Sequence, residues 1–473
     1  MLADLLQRSA SDQASMVRAG EVRARELVEA ALEAIERVNP VLNAFVTVCG
    51  ERALAEADAV GAGDPRPLCG VPVGIKDLLS ATEGVRTTEG SLGFPDWVAA
   101  HDSAHVRRLR EAGAIVVGKT NTPELGLRPV TENRRFGATR NPWNTELSAG
   151  GSSGGSASAV ASGMVALADG SDLGGSIRIP ASCCGLVGLK PSLGRVSIAP
   201  DYGDVAAGMA ADCVLTRAVM DTAVALDAIA GYEPGDRHRA WAPRQSFVEL
   251  ATADPGRLQV RVCVTAPHGI PVEAEPEAAA RAAGELLASL GHEVEEVDPG
   301  WDDEAFPAAW GTFMAATGQH LTRILERLHG GLDPDQLEPA TRAWLVDSPP
   351  VSLLDYLEAG EQLFRFSRRV IARWGGDDVV LVTPTLTRLP APIGGIRAAT
   401  GVTDDASRFS ALVRIWNVTG QPAISLPLAR TDHGVPIGVQ LVAAPDRDDV
   451  LISLAAQLEA AAGWPVVATT ENG

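Results

Sequence analysis

The sequence predicts a soluble α/β protein, because helical and strand patterns alternate along a chain of balanced composition. Apolar residues make up 46% of its 473 residues and charged residues 21%, which is typical of soluble globular proteins. Aromatic residues reach only 4% while glycine occurs 48 times, so we expect many tight turns and a core of small aliphatic side chains. Residues 105–117 and 275–297 each predict a helix followed directly by a strand.

The N-terminal region predicts two helices. Ser9 or Ser11 can cap a first turn, and Gly20-Glu21 separates it from a longer amphipathic run. Apolar residues recur at helical spacing in that run, and Asn39-Pro40 is expected to stop it, because proline lacks the N–H that would continue the helix.

The alternation continues to the C-terminus. Further helices are predicted at residues 53–60, 105–112, 218–230, 275–290 and 450–462. Strands are predicted at residues 70–77, 114–117, 260–264, 293–297, 378–384, 424–428 and 437–442. The first of these strands delivers Lys76 to its end.

Two segments depart from this alternation. Residues 301–374 are helical in pattern, richer in aromatic side chains and interrupted by Pro349-Pro350, so we interpret them as a helical cap or substrate-pocket region rather than a separate domain. Residues 385–403 contain two prolines and three glycines and predict a loop long enough to suggest a function.

Charge and cysteine usage exclude several classes of partner. The formal net charge of −20 disfavours nucleic acid or an anionic membrane as a binding partner. The six cysteines form no C-x-x-C pair and indicate reduced, mostly buried thiols rather than a metal site. The N-terminus has no leader pattern and no stretch of 18 apolar residues occurs, which predicts a cytoplasmic protein.

Two glycine–serine clusters, at residues 148–156 and 170–176, are the most unusual feature of the chain. Glycines at this density indicate backbone that bends tightly or approaches a ligand closely, and a serine hydroxyl held there can act as a nucleophile. A flexible linker is the alternative. The apolar stretch 157–168 and the buried pattern of 183–189 argue against a linker.

Two short motifs match this sequence but lack the neighbouring elements or partner residues that their functions require. Residues 113–120 fit the phosphate-binding pattern G-x-x-x-x-G-K-[ST], but a helix precedes them and the middle residues themselves predict a strand. Residues 150–154 fit the G-x-S-x-G pattern of α/β-hydrolases, which needs a later acid and histidine. Only His433 falls in a suitable region, and its setting is that of a solvated turn residue.

A third constellation is more specific. Lys76 ends a strand, Ser152 lies in Gly-Gly-Ser-Ser-Gly-Gly-Ser, and Ser176 lies in Asp-Leu-Gly-Gly-Ser-Ile-Arg. Together these residues resemble the amidase signature family of Ser–Ser–Lys hydrolases. Further stretches resemble the family in the same order, at residues 141–144, 188–191, 194–197, 215–217, 227–231, 420–424 and 434–440.

The resemblance implies a role for each of the three residues. Ser176 is expected to be the nucleophile, Ser152 the middle serine on a cis peptide, and Lys76 the base. A free lysine has a pKa of about 10.4, so Lys76 must be made neutral by burial away from carboxylates. A shift of about three pKa units corresponds to roughly 4 kcal/mol. Strand alternation is expected to turn Asp77 to the opposite face.

The resemblance also assigns the surroundings of these residues. It implies that backbone N–H groups form an oxyanion hole, at Leu173, Gly174, Gly175 and Ser176. It implies that supporting hydrogen bonds come from Ser153, Asp172 and Arg178. Substrate contacts are expected at Gly126 and Leu127. Family members usually carry threonine where this chain has Leu173, a departure expected to change pocket shape but not mechanism.

The family fold is a single α/β domain whose mixed, twisted sheet is covered by helices on both faces. Applied to this chain, it implies one domain over residues 1–473, with a core at about 65–235 and 376–473 and a more variable helical region at about 300–375. It also implies hydrolysis of a carboxylic amide, with esters and carbamates (urethanes) as further substrates, no metal or organic cofactor, and a monomer or homodimer.

Two departures from the family pattern bear on the substrate. Ile179 stands where the A subunit of the tRNA-dependent amidotransferase usually has glutamine, and Cys213-Val-Leu-Thr-Arg217 replaces the common Gly-Pro-Leu-Thr-Arg. The second departure resembles the branch that hydrolyses nylon oligomers and aryl amides. An amidotransferase subunit and a non-catalytic binding protein on the same fold remain alternatives.

Overall fold

A mixed β-sheet with helices packed against it forms the centre of the molecule. The computed structural model describes residues 2–396, 405–464 and 467–468. Within these ranges the strands are β1 Phe45–Val48, β2 Pro72–Lys76, β3 Arg86–Thr87, β4 Trp97–Val98, β5 Ile115–Thr120, β6 Glu132–Asn133, β7 Gly137–Ala138, β8 Arg140–Asn141, β9 Asn144–Ser148, β10 Leu167–Asp172, β11 Val187–Lys190, β12 Ala211–Thr216, β13 Gln259–Val262, β14 Glu293–Glu296, β15 Val379–Pro384, β16 Ala423–Arg430 and β17 Pro436–Val442.

The helices lie between these strands. They are α1 Leu2–Gln7, α2 Ala10–Ala19, α3 Ala24–Leu42, α4 Gly50–Asp58, α5 Ala104–Glu111, α6 Gly154–Ala161, α7 Arg178–Cys184, α8 Val219–Ile229, α9 Phe247–Leu250, α10 Ala274–Ser289, α11 Phe306–His329, α12 Pro339–Leu345, α13 Leu353–Trp374, α14 Asp405–Phe409, α15 Ile415–Thr419 and α16 Asp448–Ala462. The predicted α/β class is confirmed. Helix α1 and several strands, among them β1, β10, β11 and β12, were not predicted.

The order of the strands places three carboxyl ends side by side. The described part of the chain contains one eleven-stranded sheet, in the order β1-β5-β2-β10-β12-β11-β16-β17-β15-β13-β14. Strand β2 pairs in parallel with both β5 and β10, so all three end at the same edge. In α/β folds ligand sites form at that edge, in the loops that follow the strands.

The first helices correct one prediction. Ser9 caps α2, its side chain accepting the N–H of Asp12, and Gly20 ends that helix in a left-handed conformation. Helix α3 does not stop at Asn39-Pro40 but continues to Leu42, because a proline in the last turn removes only one late hydrogen bond.

The segment between β14 and β15 is helical, as predicted, and we call α11, α12 and α13 the cap helices. Their aromatic side chains mostly pack as core, and Phe306 lies 4.6 Å from Phe366 between ring centroids. The C-terminal end of α11 contacts the loop between β3 and β4, where His329 Nε2 lies 3.4 Å from the Glu89 carboxylate. Of the loop predicted at 385–403, residues 397–403 lie outside the described residues.

The interior agrees with the composition. The core is built mainly from alanine, valine, leucine and isoleucine on both sides of the sheet. All six cysteines are free thiols, including the neighbouring Cys183 and Cys184. Across the described ranges, no helix has the length and apolar character needed to cross a membrane.

Candidate active site

Lys76 lies at the end of β2 and is fully buried. Its Nζ atom donates to Ser152 Oγ at 2.8 Å and to Ser171 Oγ at 2.9 Å. Its backbone N–H donates to the Asp169 carboxylate at 3.2 Å. The prediction that β2 delivers this lysine to the sheet edge is confirmed, and the lysine meets one of the two predicted serines directly.

Burial lowers the pKa of Lys76 to about 8. The expectation that the lysine lies away from carboxylates was wrong, because Asp169, Asp212 and Asp172 all lie near enough to oppose this shift. Desolvation nevertheless outweighs their attraction. Asp77 faces away from the lysine, as predicted, and its carboxylate accepts from the Thr88 hydroxyl at 2.5 Å and from the Thr88 N–H at 3.1 Å.

Ser152 lies in the loop between β9 and α6, and the Gly151–Ser152 peptide bond is cis. Thr131 holds this loop, because its hydroxyl donates to the carbonyl of Gly150 at 2.9 Å and accepts the N–H of Gly154 at 3.0 Å. The side chain of Ser152 is 2% exposed, so the hydroxyl beside Lys76 is shielded from bulk solvent.

Ser176 lies two residues before α7 and is only half-buried. Its carbonyl accepts the N–H of Ser153 at 3.2 Å, and the Ser153 hydroxyl donates to the carbonyl of Ser171 at 3.3 Å. These bonds tie the two glycine–serine clusters together. Among the described residues Ser176 Oγ has no hydrogen-bond partner, so its direct bond to Ser152 is not formed in this conformation.

The backbone around Ser176 supplies fewer free amides than the sequence predicted. The N–H of Gly175 donates to the Asp172 carboxylate at 2.8 Å and is therefore not available to a substrate. Within the described part of the chain, the N–H groups of Leu173, Gly174 and Ser176 have no protein acceptor. The predicted set of four oxyanion donors is thus reduced to three.

Asp172 and Arg178 form a fully buried ion pair beneath this loop. The two side chains make two parallel contacts, at 3.0 and 2.9 Å. Burial alone would raise the pKa of Asp172, but the Arg178 guanidinium holds the pKa of this carboxyl well below its usual range. Arg178 also donates to Asn417 Oδ1 at 2.8 Å and to Gln440 Oε1 at 2.7 Å, so it joins α15 and β17 to the loop.

Three further residues lie near the loops that carry Ser152 and Ser176. Gly126 has a φ of +69°, and a Cβ at this position would lie 3.3 Å from Ser152 Oγ. Leu127 follows directly, is half-buried and packs in an apolar cluster with residues of the cap helices. From the other side, the Trp310 ring of α11 lies 3.8 Å from where a Cβ of Gly174 would be.

Comparison with known proteins identifies the family of this chain. The family model described as Amidase matches residues 26–452. The chain belongs to the amidase signature family. This amidase is therefore a hydrolase of amide C–N bonds.

Individual relatives match the amidase over nearly its whole length. The 6-aminohexanoate-cyclic-dimer hydrolase of Paenarthrobacter ureafaciens is 38% identical, over 97% of this chain and 96% of its own. A structure of 6-aminohexanoate cyclic dimer hydrolase complexed with substrate superimposes with a TM-score of 0.92, at 37% identity over 97% of this chain and 98% of that one. The structure of a bacterial aryl acylamidase superimposes with a TM-score of 0.85, at 27% identity over 97% of this chain and 96% of that one.

Some residues around the site of this amidase were missed by the sequence argument. Ser171, the second partner of Lys76, lies in the glycine–serine cluster 170–176. It follows Asp169 by two residues on β10, a spacing that puts both side chains on one face of the strand. Thr131 and Asn417 had no local signal, because their partners are distant in the chain.

In the structure of the amidase, neither of the two rejected motifs has the structural context that its function requires. Strand β5 occupies the middle of residues 113–120 and α5 precedes it, the reverse of a phosphate-binding loop. His433 is exposed in the turn between β16 and β17.

Proposed function

We propose that this amidase cleaves amides through an acyl-enzyme on Ser176, with Ser152 carrying protons between Ser176 and Lys76. The observation that carries the proposal is the buried hydrogen bond of 2.8 Å from Lys76 Nζ to Ser152 Oγ, beside the loop of Ser176. A serine hydroxyl is a weak nucleophile until a base takes its proton, and a lysine serves as that base only when it is neutral. The lowered pKa of Lys76 supports this role.

Acylation begins when Ser176 Oγ attacks the carbonyl carbon of the amide. Its proton passes to Ser152 Oγ while the proton of Ser152 passes to the neutral amine of Lys76. The negative charge that develops on the carbonyl oxygen is stabilised by the free N–H groups of Leu173, Gly174 and Ser176. One such donor is typically worth about 10²–10³ in rate.

Collapse of the tetrahedral intermediate breaks the C–N bond. The leaving amine needs a proton, and Lys76 returns one to it through Ser152. Water then attacks the acyl carbonyl and gives a proton through Ser152 to Lys76. That proton returns through Ser152 to Ser176 Oγ as the acyl C–O bond breaks, which releases the acid and restores the Ser176 hydroxyl. The Asp172–Arg178 pair holds the loop of donor amides in place throughout the cycle.

The substrates we propose are small acyl or aryl amides, with esters and carbamates as further substrates. Trp310 and Leu127 give the space before Ser152 apolar walls, which suits an aryl or aliphatic group next to the reacting carbonyl. The names of the aryl acylamidase and of the cyclic-dimer hydrolase support the same substrate class. Esters and carbamates present the same carbonyl geometry to Ser176.

Two alternatives make different demands. A non-catalytic binding protein has no need for a buried lysine bonded to a serine, and that contact disfavours it here. An amidotransferase A subunit would need partner chains for its reaction. Hydrolysis of simple amides by the purified chain alone would argue against that second alternative.

The decisive experiment compares wild type with Ser176→Ala on a panel of aliphatic amides, anilides, carbamates and esters. We expect a loss of about 10³–10⁶ in kcat/KM on every substrate that wild type cleaves. A sulfonyl fluoride or phosphonate should add one adduct, visible by intact mass in wild type and absent from Ser176→Ala. Ser162→Ala is the matched control, because Ser162 ends α6 and bonds only to the carbonyls of Ser158 and Ala159.

Undiminished turnover by Ser176→Ala, or an adduct that persists in this variant, would contradict the assignment of the nucleophile. A panel on which only the carbamates react would instead correct the substrate class and leave the mechanism standing.

A further inference from the structure

Three buried ionisable side chains form a group beside Lys76. Its members are His105 of α5, Asp169 of β10 and Asp212 of β12. All three side chains are buried. Asp212 pairs with Ser171 across the two antiparallel strands, and Asp169 lies two residues before Ser171 on β10. The two carboxylates therefore share the face of the sheet that Lys76 contacts.

His105 lies between the two carboxylates. Its Nε2 is 3.4 Å from an Asp169 oxygen and its Nδ1 is 3.6 Å from an Asp212 oxygen. Two hydroxyl oxygens lie nearer, Ser80 Oγ at 3.2 Å from Nε2 and Ser103 Oγ at 3.4 Å from Nδ1, and each of these hydroxyls donates its own hydrogen elsewhere. Both ring nitrogens therefore face acceptors, and only the imidazolium has a hydrogen on both. Burial by itself would lower the pKa of His105, but Asp169 and Asp212 outweigh it and the net pKa is raised.

The charges around Lys76 would otherwise oppose its neutral state. The ionisable groups that face Lys76 or His105 from the surrounding elements are Asp169, Asp172, Asp212, Glu89 and Lys119. Asp172 is already neutralised by Arg178. Burial raises the pKa of Asp212 to about 6, so Asp212 is still a carboxylate in the range where Lys76 titrates. Asp169 and Asp212 therefore need a cation other than Lys76.

We propose that His105 is a positioning residue for the amidase reaction, whose positive charge offsets part of the negative charge of Asp169 and Asp212 and so favours the neutral form of Lys76. This inference rests on the proposed function of Lys76. His105 contacts no reacting atom. It acts through the two carboxylates, which would otherwise draw a proton onto the lysine.

The test follows the pH dependence of kcat/KM and of inactivation by a sulfonyl fluoride, since both depend on the neutral fraction of Lys76. In His105→Gln the acidic limb should move to higher pH by about one unit, because the carboxylates lose their cation. In Asp212→Asn the limb should move to lower pH, because one negative charge near Lys76 is removed. The double variant should lie between the two.

His292→Gln is the matched control, since His292 is also buried but bonds to Gln457 and to the N–H of Leu258, in another part of the sheet. Its limb should coincide with that of wild type. A His105→Gln limb that coincides with the wild-type limb would overturn the inference, whatever Asp212→Asn shows. Should His105→Gln not fold, His105→Asn takes its place with the same expected shift and the same contrary outcome. Wild-type turnover by Lys76→Arg would instead refute the proposed function itself.

Discussion

The Nζ atom of Lys76 and the Oγ atom of Ser152 lie 2.8 Å apart in a region closed to solvent. The two residues are 76 positions apart in the chain, one at the end of a strand and the other in a glycine loop. Their contact joins a hydroxyl to an amine whose pKa is lowered to about 8 by burial. The proposed proton transfer depends on the protonation state of that amine.

The pH dependence of activity should report Lys76. Because only the neutral amine accepts a proton, kcat/KM should fall about tenfold for each pH unit below an apparent pKa near 8 and level off above it. A pH profile of anilide hydrolysis measures this directly. Lys76→Arg keeps the charge and cannot become neutral, so it should be inactive at every pH tested. A profile that is flat between pH 6 and 9 would contradict the role of the lysine.

Loss of the Asp172 carboxylate should destabilise the fold as well as the site. Asp172→Asn leaves the Arg178 guanidinium buried without its counter-charge, so the free energy of unfolding should drop by about 3–5 kcal/mol. Denaturant unfolding at pH 7 measures the change. Asp449→Asn, which breaks a partly exposed pair with Arg447, should cost about 1 kcal/mol or less. Equal losses in the two variants would be inconsistent with this account.

The same pair sets a pH dependence of stability. The pKa of Asp172 is lower in the folded chain than in the unfolded chain, where it is about 3.9. Its contribution is therefore fully present above the unfolded value and is lost as pH falls through the folded value. The difference in the free energy of unfolding between wild type and Asp172→Asn should therefore stay constant from pH 7 down to about pH 4 and shrink below that pH. Denaturant unfolding of both proteins at each pH measures it.

A side chain at Gly126 should impair catalysis more than folding. In Gly126→Ala the new Cβ would lie 2.5 Å from Leu78 Cδ2 and 3.3 Å from Ser152 Oγ, so the proton path must shift. We expect a fall in kcat of about tenfold to a hundredfold. Gly434→Ala is the control, because Gly434 has a similar φ of +80° with open space around it. A fall in kcat of the same size in Gly434→Ala would show that backbone strain alone is responsible.

Trp310 should set the preference for aryl groups. Its ring lies against the Gly174 backbone and stacks on Phe306, with 6.3 Å between the ring centroids. Trp310→Ala should lower kcat/KM for an anilide relative to a small aliphatic amide by roughly tenfold or more, because an apolar wall is lost. Trp241→Ala, at a tryptophan that is 81% exposed, should leave the ratio unchanged. An unchanged ratio in Trp310→Ala would remove this residue from the pocket.

Local patterns were sufficient to predict many elements, whereas the roles of the catalytic candidates came from the resemblance to the amidase signature family. Strand β2, with Lys76 at its end, and helices α5, α8, α10 and α16 lie within a few residues of their predicted positions. The signals here are short-range, since apolar periodicity, capping residues and glycine clusters all act over a single turn or strand. Helix α3 shows where local patterns fail, because it continues through Pro40 to Leu42. A proline in the last turn of a helix removes only one hydrogen bond and need not end it.

The surroundings of the candidate site could not be predicted in the same way. Asp172 is bonded to Asn417 across 245 positions, and Lys76 meets Asp169 across 93 positions. No local pattern encodes such pairs, which arise only when the strand order brings distant segments together. The expectation that Lys76 lies away from carboxylates came from the need for a low pKa, and no local pattern shows that the lysine lies among Asp169, Asp212 and Asp172.

The cap helices contact the segment of the chain that follows Lys76. Between β3 and β4 this segment forms a loop that holds Glu89, which contacts His329 of α11, and Ser91, whose hydroxyl donates to Glu124 at 2.7 Å. The Glu124 carboxylate also accepts the N–H of Glu338 at the start of α12. A cap transplanted from a relative would therefore need its own partners for Glu89 and Glu124. Engineers who exchange this segment to change the substrate should redesign the loop with it, as one transferable unit.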